Sequence, residues 1–234
     1  MIMKYNFDII KSQLAQRYHK ILAETDLEKI YSSDHHSGIF LPAPHESYFS
    51  GDTKVFIVGQ ETRGWRNKNC EAKLHQHMSI EGIVSSMDET FSFNLNKPKT
   101  SKFRQFYKYA SNQLCSSSDN PDNAALWSNQ FCISYKGKST LKSPQFAAIE
   151  RLSYDILQTQ FEILKPDIVI FTTGSSRDKY LKQCFTYESS KVHTPRRLWE
   201  FKMGQALCFR TNHPSWGGSH KFLRDAVNKA QQRL

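Results

Sequence analysis

Lys54-Val55-Phe56-Ile57-Val58-Gly59-Gln60-Glu61-Thr62-Arg63-Gly64-Trp65 is the stretch from which the fold can be read. Its apolar run follows the turn signal Ser50-Gly51-Asp52 and meets Gly59, which predicts a fully buried strand over 54–58 that stops at the glycine. A strand without polar alternation is covered on both faces, as in parallel sheets. The same signature returns at Ile168–Phe171, just after Lys165-Pro166, and further strands are predicted over 126–134 and 206–211. Helical spacing separates them. Phe103, Phe106, Tyr107, Ala110 and Leu114 predict a helix over 101–115, and Ser143-Pro144 opens another that continues to Leu164. A short helix at 177–185, a last one at 219–234 and an amphipathic first one at 5–24 complete the pattern. Residues 66–100 carry little periodicity, and no element is predicted there. Strands alternating with helices predict an α/β fold, a three-layer α/β/α sandwich around a central four-stranded parallel sheet. The chain reads as one domain, with an N-terminal helix and loop over 1–53 and a motif-bearing core over 54–218.

The 234 residues hold 32 Lys plus Arg against 22 Asp plus Glu, with 38% hydrophobic residues and a mean hydropathy of −0.61. No apolar run approaches the roughly 20 residues needed to span a bilayer, and the N-terminus lacks the apolar centre of a secretory signal. A cytoplasmic protein without membrane contact is expected. Cys70, Cys115, Cys132, Cys184 and Cys208 are an odd number at irregular spacing, which fits reduced thiols. The net charge of +10 favours a polyanionic partner, and from Arg177 onward twelve Lys and Arg stand against four Asp and Glu. One face built by that segment should be cationic.

Ligands of parallel sheets bind beyond the carboxyl ends of the strands. Two segments there carry chemistry: Gly59 to Gly64, and Asn212-His213-Pro214-Ser215-Trp216-Gly217-Gly218. A carboxylate and an imidazole at neighbouring strand ends can flank one substrate, one supporting positive charge and the other donating to a developing anion. Together with Trp127-Ser128-Asn129-Gln130 and the segment Leu164 to Gly174, these motifs resemble, in order, those of the uracil-DNA glycosylase superfamily over about residues 54–218. The resemblance implies base flipping and hydrolysis of the sugar–base bond, leaving an abasic site, without metal or cofactor. It implies that Glu61 orients water and stabilises an oxocarbenium-like sugar, while His213 stabilises the departing base anion. The Gln60 backbone beside Gly59 would hold a base carbonyl, and Asn129 would read the base edge. Thr62 departs from the family's Pro, and Arg63 stands where uracil-specific members place a Tyr that blocks 5-substituents. Arg63 could leave space for such a substituent and donate hydrogen bonds to it. A modified pyrimidine is therefore expected beside uracil, with a defence role against phage DNA conceivable.

Trp216 follows the His-Pro-Ser motif where related enzymes push a loop into the duplex, and an indole there could stack on an orphan base. Ser215, Gly217 and Ser175 are expected to meet DNA phosphates, with Arg177, Lys179, Arg196, Arg197, Arg210 and Lys221 neutralising the backbone. Structural alternatives stand beside these roles. Glu61 could be a solvated loop carboxylate, His213 a loop brace, and Asn129 a buried amide satisfied by backbone. Cys70, His75 and His77 could ligate zinc, yet no fourth ligand is evident, so no metal is expected. Some branches of the superfamily hold an iron–sulfur cluster on four Cys with a close pair, which this chain lacks. His35-His36 reads as a solvated loop. Two rival functions remain: a non-catalytic nucleic-acid-binding protein that kept the fold, and a hydrolase of small nucleotides. A monomer is the expected state.

Overall fold

The computed structural model describes residues 2–63, 65, 73–74, 77–96 and 101–234, with the side chains of 2–6 and 93–96 outside the description. In chain order the elements are α1 (Ile2–Ala23), α2 (Leu27–Ile30), β1 (Val55–Glu61), α3 (Ile80–Asn96), α4 (Lys102–Leu114) and β2 (Leu126–Phe131). There follow α5 (Phe146–Leu164), β3 (Ile168–Phe171), α6 (Asp178–Cys184), β4 (Ser189–Thr194), β5 (Leu198–Met203), β6 (Ala206–Arg210) and α7 (Ser219–Gln231). No described helix is long and apolar enough to cross a membrane.

Among the described residues the sheet has six strands, in the order β2-β1-β3-β6-β5-β4. The four strands expected from sequence are its parallel part, since β1 pairs in parallel with both β2 and β3, and β3 with β6. The expectation of a purely parallel four-stranded sheet is corrected by the hairpin β4–β5, which continues it antiparallel from β6. β5 joins because Trp199, Phe201 and Met203 alternate inward and the rings of Trp199 and Phe201 stack at 4.1 Å. β4 is an exposed edge of polar residues with a bulge between Val192 and Thr194, features that discourage further strand pairing.

Alternate residues of β1 feed two cores. Val55 and Ile57 pack with Phe106 and Leu114 of α4 and with Leu223 and Val227 of α7. Phe56 and Val58 pack on the other face with Leu14 of α1 and Ile149 and Ile156 of α5. Burial at this scale contributes about 1.5–3 kcal/mol per large apolar side chain.

Several elements differ from expectation, β2 ending at Phe131 and α7 at Gln231, earlier than expected. β1 does not stop at Gly59: its pairing with β2 continues through Gly59↔Asn129 to Glu61↔Phe131, so Gln60 and Glu61 are strand residues rather than loop residues. α5 begins at Phe146, because Ser143 closes a preceding 3-10 turn and its Oγ accepts from the Gln145 N–H at 3.0 Å. The unpredicted α3 lies within the polar 66–100 stretch, where Ile83 and Met87, one turn apart, are fully buried.

Residues 36–44 are buried without regular structure. His36, expected in a solvated loop, is 1% exposed; its Nε2 lies 2.7 Å from Ser143 Oγ and its carbonyl accepts from Lys73 Nζ at 2.6 Å. His35 is exposed. The segment is strapped to the chain beyond β2, with the Ser37 N–H on the Ser134 carbonyl at 3.0 Å and the Phe40 N–H on the Cys132 carbonyl at 2.9 Å.

Candidate active site

The parallel strands β1, β2 and β6 and the chain just beyond them converge on one cavity of about 330 Å³. β1 brings Gly59, Gln60 and Glu61, and the residues after it bring Thr62 and Arg63; β2 brings Trp127 and Asn129; the turn beyond β6 brings His213 and Ser215. Seven of the residues singled out in the sequence therefore border one space. Trp216, Gly217 and Ser175 do not.

Gly59 faces Asn129 across the β1–β2 ladder. A Cβ at Gly59 would stand 2.4 Å from Asn129 Oδ1 and 3.2 Å from the Phe103 ring, so only glycine leaves the amide its place. Asn129 is 7% exposed and its amide has no hydrogen-bond partner among the described residues. A buried amide without a protein partner carries a desolvation cost of about 1–3 kcal/mol unless a ligand or water meets it. The Gln60 side chain is committed elsewhere: its Nε2 donates to the Thr173 carbonyl at 2.7 Å and ties β1 to the chain beyond β3.

Glu61 is held more tightly than a solvated loop carboxylate. Its side chain is 2% exposed and its Oε2 lies 3.3 Å from an Nη of Arg177, whose side chain is 9% exposed. That same nitrogen donates to Ser139 Oγ at 2.9 Å. Burial pushes the Glu61 carboxyl above its ordinary value, against the pull of Arg177 and Arg63. Thr62 continues the bracing, its Oγ1 3.0 Å from Ser37 Oγ.

His213 titrates down to about 4, first because of burial and then because of Arg63, so its imidazole is neutral at pH 7. Its Nδ1 accepts from the Ser215 N–H at 3.2 Å, which leaves the proton on Nε2. Its ring stacks at 25° on Phe103 with centroids 6.3 Å apart. Arg63, exposed and with φ of 35°, acts electrostatically on both Glu61 and His213.

The remaining described wall is aromatic apart from Ser101 and Arg104. Phe103 lies 4.7 Å from Trp127, and Phe40 meets Trp65 edge-on at 5.5 Å, all four bordering the cavity. Comparison with family models, with curated proteins and with solved structures finds no match. The site therefore stands on its own geometry.

Several cavity residues were not singled out in the sequence. Phe103 reads there only as a core residue, and Phe40 comes from a segment with no periodic signal. Arg177, which braces Glu61 without lining the cavity, stands just beyond the third parallel strand, a position that the rule of carboxyl-end sites marks, whereas the sequence suggests a phosphate contact. Its pairing with Glu61 corrects that reading, and Arg210 is likewise committed, 2.7 Å from Asp178. Ser175 opens a 3-10 turn behind the Gln60–Thr173 tie. Trp216 is 43% exposed, with the Arg197 guanidinium 3.9 Å from its ring centre, and the space at Gly217 is open.

Among the described residues no group of three or more His, Cys, Asp or Glu is placed to hold a metal. Cys70 and His75 lie outside the described residues, while His77 is buried. Cys115, Cys132, Cys184 and Cys208 are free and buried.

Proposed function

We propose that the chain is a monofunctional DNA glycosylase that takes an extruded pyrimidine into the 330 Å³ cavity and hydrolyses its bond to the sugar. The observation that carries this reading is the convergence of Glu61, His213 and the unpartnered amide of Asn129 on one aromatic-walled space. The flat base slides against Phe103 and its neighbours, and the Asn129 amide pairs with its hydrogen-bonding edge. As the bond between C1′ and the base nitrogen lengthens, the electron pair departs with the base. The neutral imidazole of His213 donates a hydrogen bond from Nε2–H to the base anion that forms and keeps its proton. The Glu61 carboxylate offsets the positive charge on the sugar and orients the water that adds to C1′, whose released proton passes to the carboxylate. Among the described residues no lysine borders the cavity, and this reading includes no covalent Schiff-base step and no strand scission.

Arg63 at the cavity wall, in place of a blocking ring, favours a pyrimidine with a polar substituent at its 5-position, including the hypermodified cytosines of phage DNA. A defence role follows from that substrate. The test is mass spectrometry of what the purified protein releases from duplexes and single strands carrying uracil, thymine, hydroxymethylcytosine or glucosylated cytosine. Release of a 5-substituted base, lost in His213→Ala, is the expected result. Exclusive release of uracil overturns the modified-base reading.

A second reading draws on one observation: the Glu61 carboxylate is enclosed and ion-paired with Arg177, as a purely structural brace would be. On this reading the protein binds nucleic acid without turnover. Tight DNA binding with no base released from any substrate, and unchanged by Glu61→Gln, selects it.

A further inference from the structure

A second cavity of about 170 Å³ adjoins the first, between α4 and α7. The same two segments wall both spaces. Ser101 and Arg104 of the α4 start face the first cavity, whereas Lys102 and Gln105 face the second. His213 and Ser215 border the first and Pro214, between them in sequence, borders the second. The partition is thus a helical turn and a single tight turn of chain.

The chemistry of the second space is that of a nucleotide. Its floor is Phe106, Leu223 and Pro214, all buried, with the half-buried ring of Tyr109 beside them. Its rim carries the exposed Lys102, His220 and Arg224, and no carboxylate among the described residues borders it. α7 begins at this end with no side chain capping its first amides, which adds positive potential to the rim. An apolar floor with a ring, under a cationic rim, suits a base below its phosphate. Successive nucleotides of one strand stand about 3.4 Å apart along B-form DNA, so a strand that leaves the first cavity crosses the partition within about one or two nucleotides.

We propose that this second cavity is a subsite for the nucleotide adjacent to the extruded one, its base on Phe106 and Tyr109 and its phosphate on Lys102 and Arg224. The inference rests on the glycosylase reading for its choice of ligand. Through it the enzyme acquires a preference for the identity and presence of a flanking base, because flanking contacts set sequence context in enzymes that act on extruded bases.

The experiment is equilibrium binding of single-stranded oligonucleotides that carry one uracil or one hydroxymethylcytosine. In matched strands the base on the 5′ or on the 3′ side is replaced by an abasic spacer. For the wild type, the spacer on one side weakens binding by about tenfold. Gln105→Trp, which fills the groove from an exposed position, abolishes the difference between intact and spacer strands. The double variant Lys102→Ser, Arg224→Ser makes log K against log salt shallower by about 1.4. All three substitutions replace exposed side chains, and unchanged melting temperatures certify the fold. Equal wild-type affinity for all strands, or undiminished discrimination in Gln105→Trp, overturns the subsite. Base release without sensitivity to neighbours overturns the subsite alone. Neighbour-sensitive binding without release from any strand keeps the subsite and overturns the catalytic reading. Failure to bind any strand overturns both.

Discussion

The two segments that bring chemistry to the cavity are held in opposite ways. The end of β1 is fastened outward by side chains to two other parts of the chain: Gln60 to Thr173 and Glu61 to Arg177 beyond β3, and Thr62 to Ser37. The turn beyond β6 is held within itself, by the Trp216 N–H on the His213 carbonyl, the Ser219 N–H on the Trp216 carbonyl and Ser219 Oγ on the Pro214 carbonyl. One is clamped in place before any ligand arrives. The other presents Ser215, Trp216, Gly217 and Gly218 to solvent and keeps Asn212 and Pro214 inside, with His213 half-buried. Under the proposed function the difference amounts to a division of labour: fixed geometry at the carboxylate, where a misplaced oxygen would cost rate, and an open surface at the turn, where a polymer would dock and leave.

The sharpest way to break this contrast is Arg177→Ala. It strands the enclosed Glu61 carboxylate, and removal of one partner of a buried pair costs about 3–5 kcal/mol, read as a fall in denaturation midpoint. Because the folded carboxyl is already raised above its ordinary 4.5, the group stabilises the fold fully below that value and loses this contribution as pH rises through the folded value. The variant should therefore regain part of its lost stability in acid. Base release, if it needs the ionised carboxylate, falls off on the acid side at a pH above 4.5 in the wild type.

Gly59→Ala comes next. The new methyl group must displace the Asn129 amide or the Phe103 ring, at about 1–3 kcal/mol of stability, and base release should fall more than the fold does. His213 gives a smaller effect of opposite sign to that of Glu61. Its value is lowered from 6.5 to about 4, so its contribution is present above 6.5 and is lost as pH falls through about 4; a pH series of thermal melts should show this decline, reduced in His213→Asn. Trp216→Ala should have the least effect on the fold, within about 0.5 kcal/mol, while lowering DNA affinity by about tenfold in a binding titration. Equal loss of stability in Trp216→Ala and Arg177→Ala would erase the contrast.

The sequence discloses what continuous apolar runs and helical spacing can encode. Val55–Val58 and Ile168–Phe171 are read as strands because burial on both faces leaves no polar alternation, and Phe103 to Leu114 as a helix because its core face repeats every turn. The hairpin β4–β5 is missed for a reason visible in its residues: Ser189, Ser190 and Lys191 face solvent on an edge, so only Trp199, Phe201 and Met203 carry a strand signal. At the site, short motifs at strand ends locate Glu61, Asn129 and His213, since strand ends of a parallel sheet share one edge. The Arg177–Glu61 pair, the Gln60–Thr173 tie and the Phe40 wall depend on which distant segments meet, and spacing along the chain holds no record of that.

The irregular segment 36–44 bears on where this protein could be cut. Every motif lies after residue 54, yet Phe40 supplies part of the aromatic lining and Ser37 holds Thr62 from outside the strand that carries the carboxylate. A fragment beginning at residue 54 would retain the whole signature and open the pocket to water on that side, leaving Thr62 without its hydroxyl partner. The smallest unit that keeps the cavity walled thus extends upstream of its recognisable motifs.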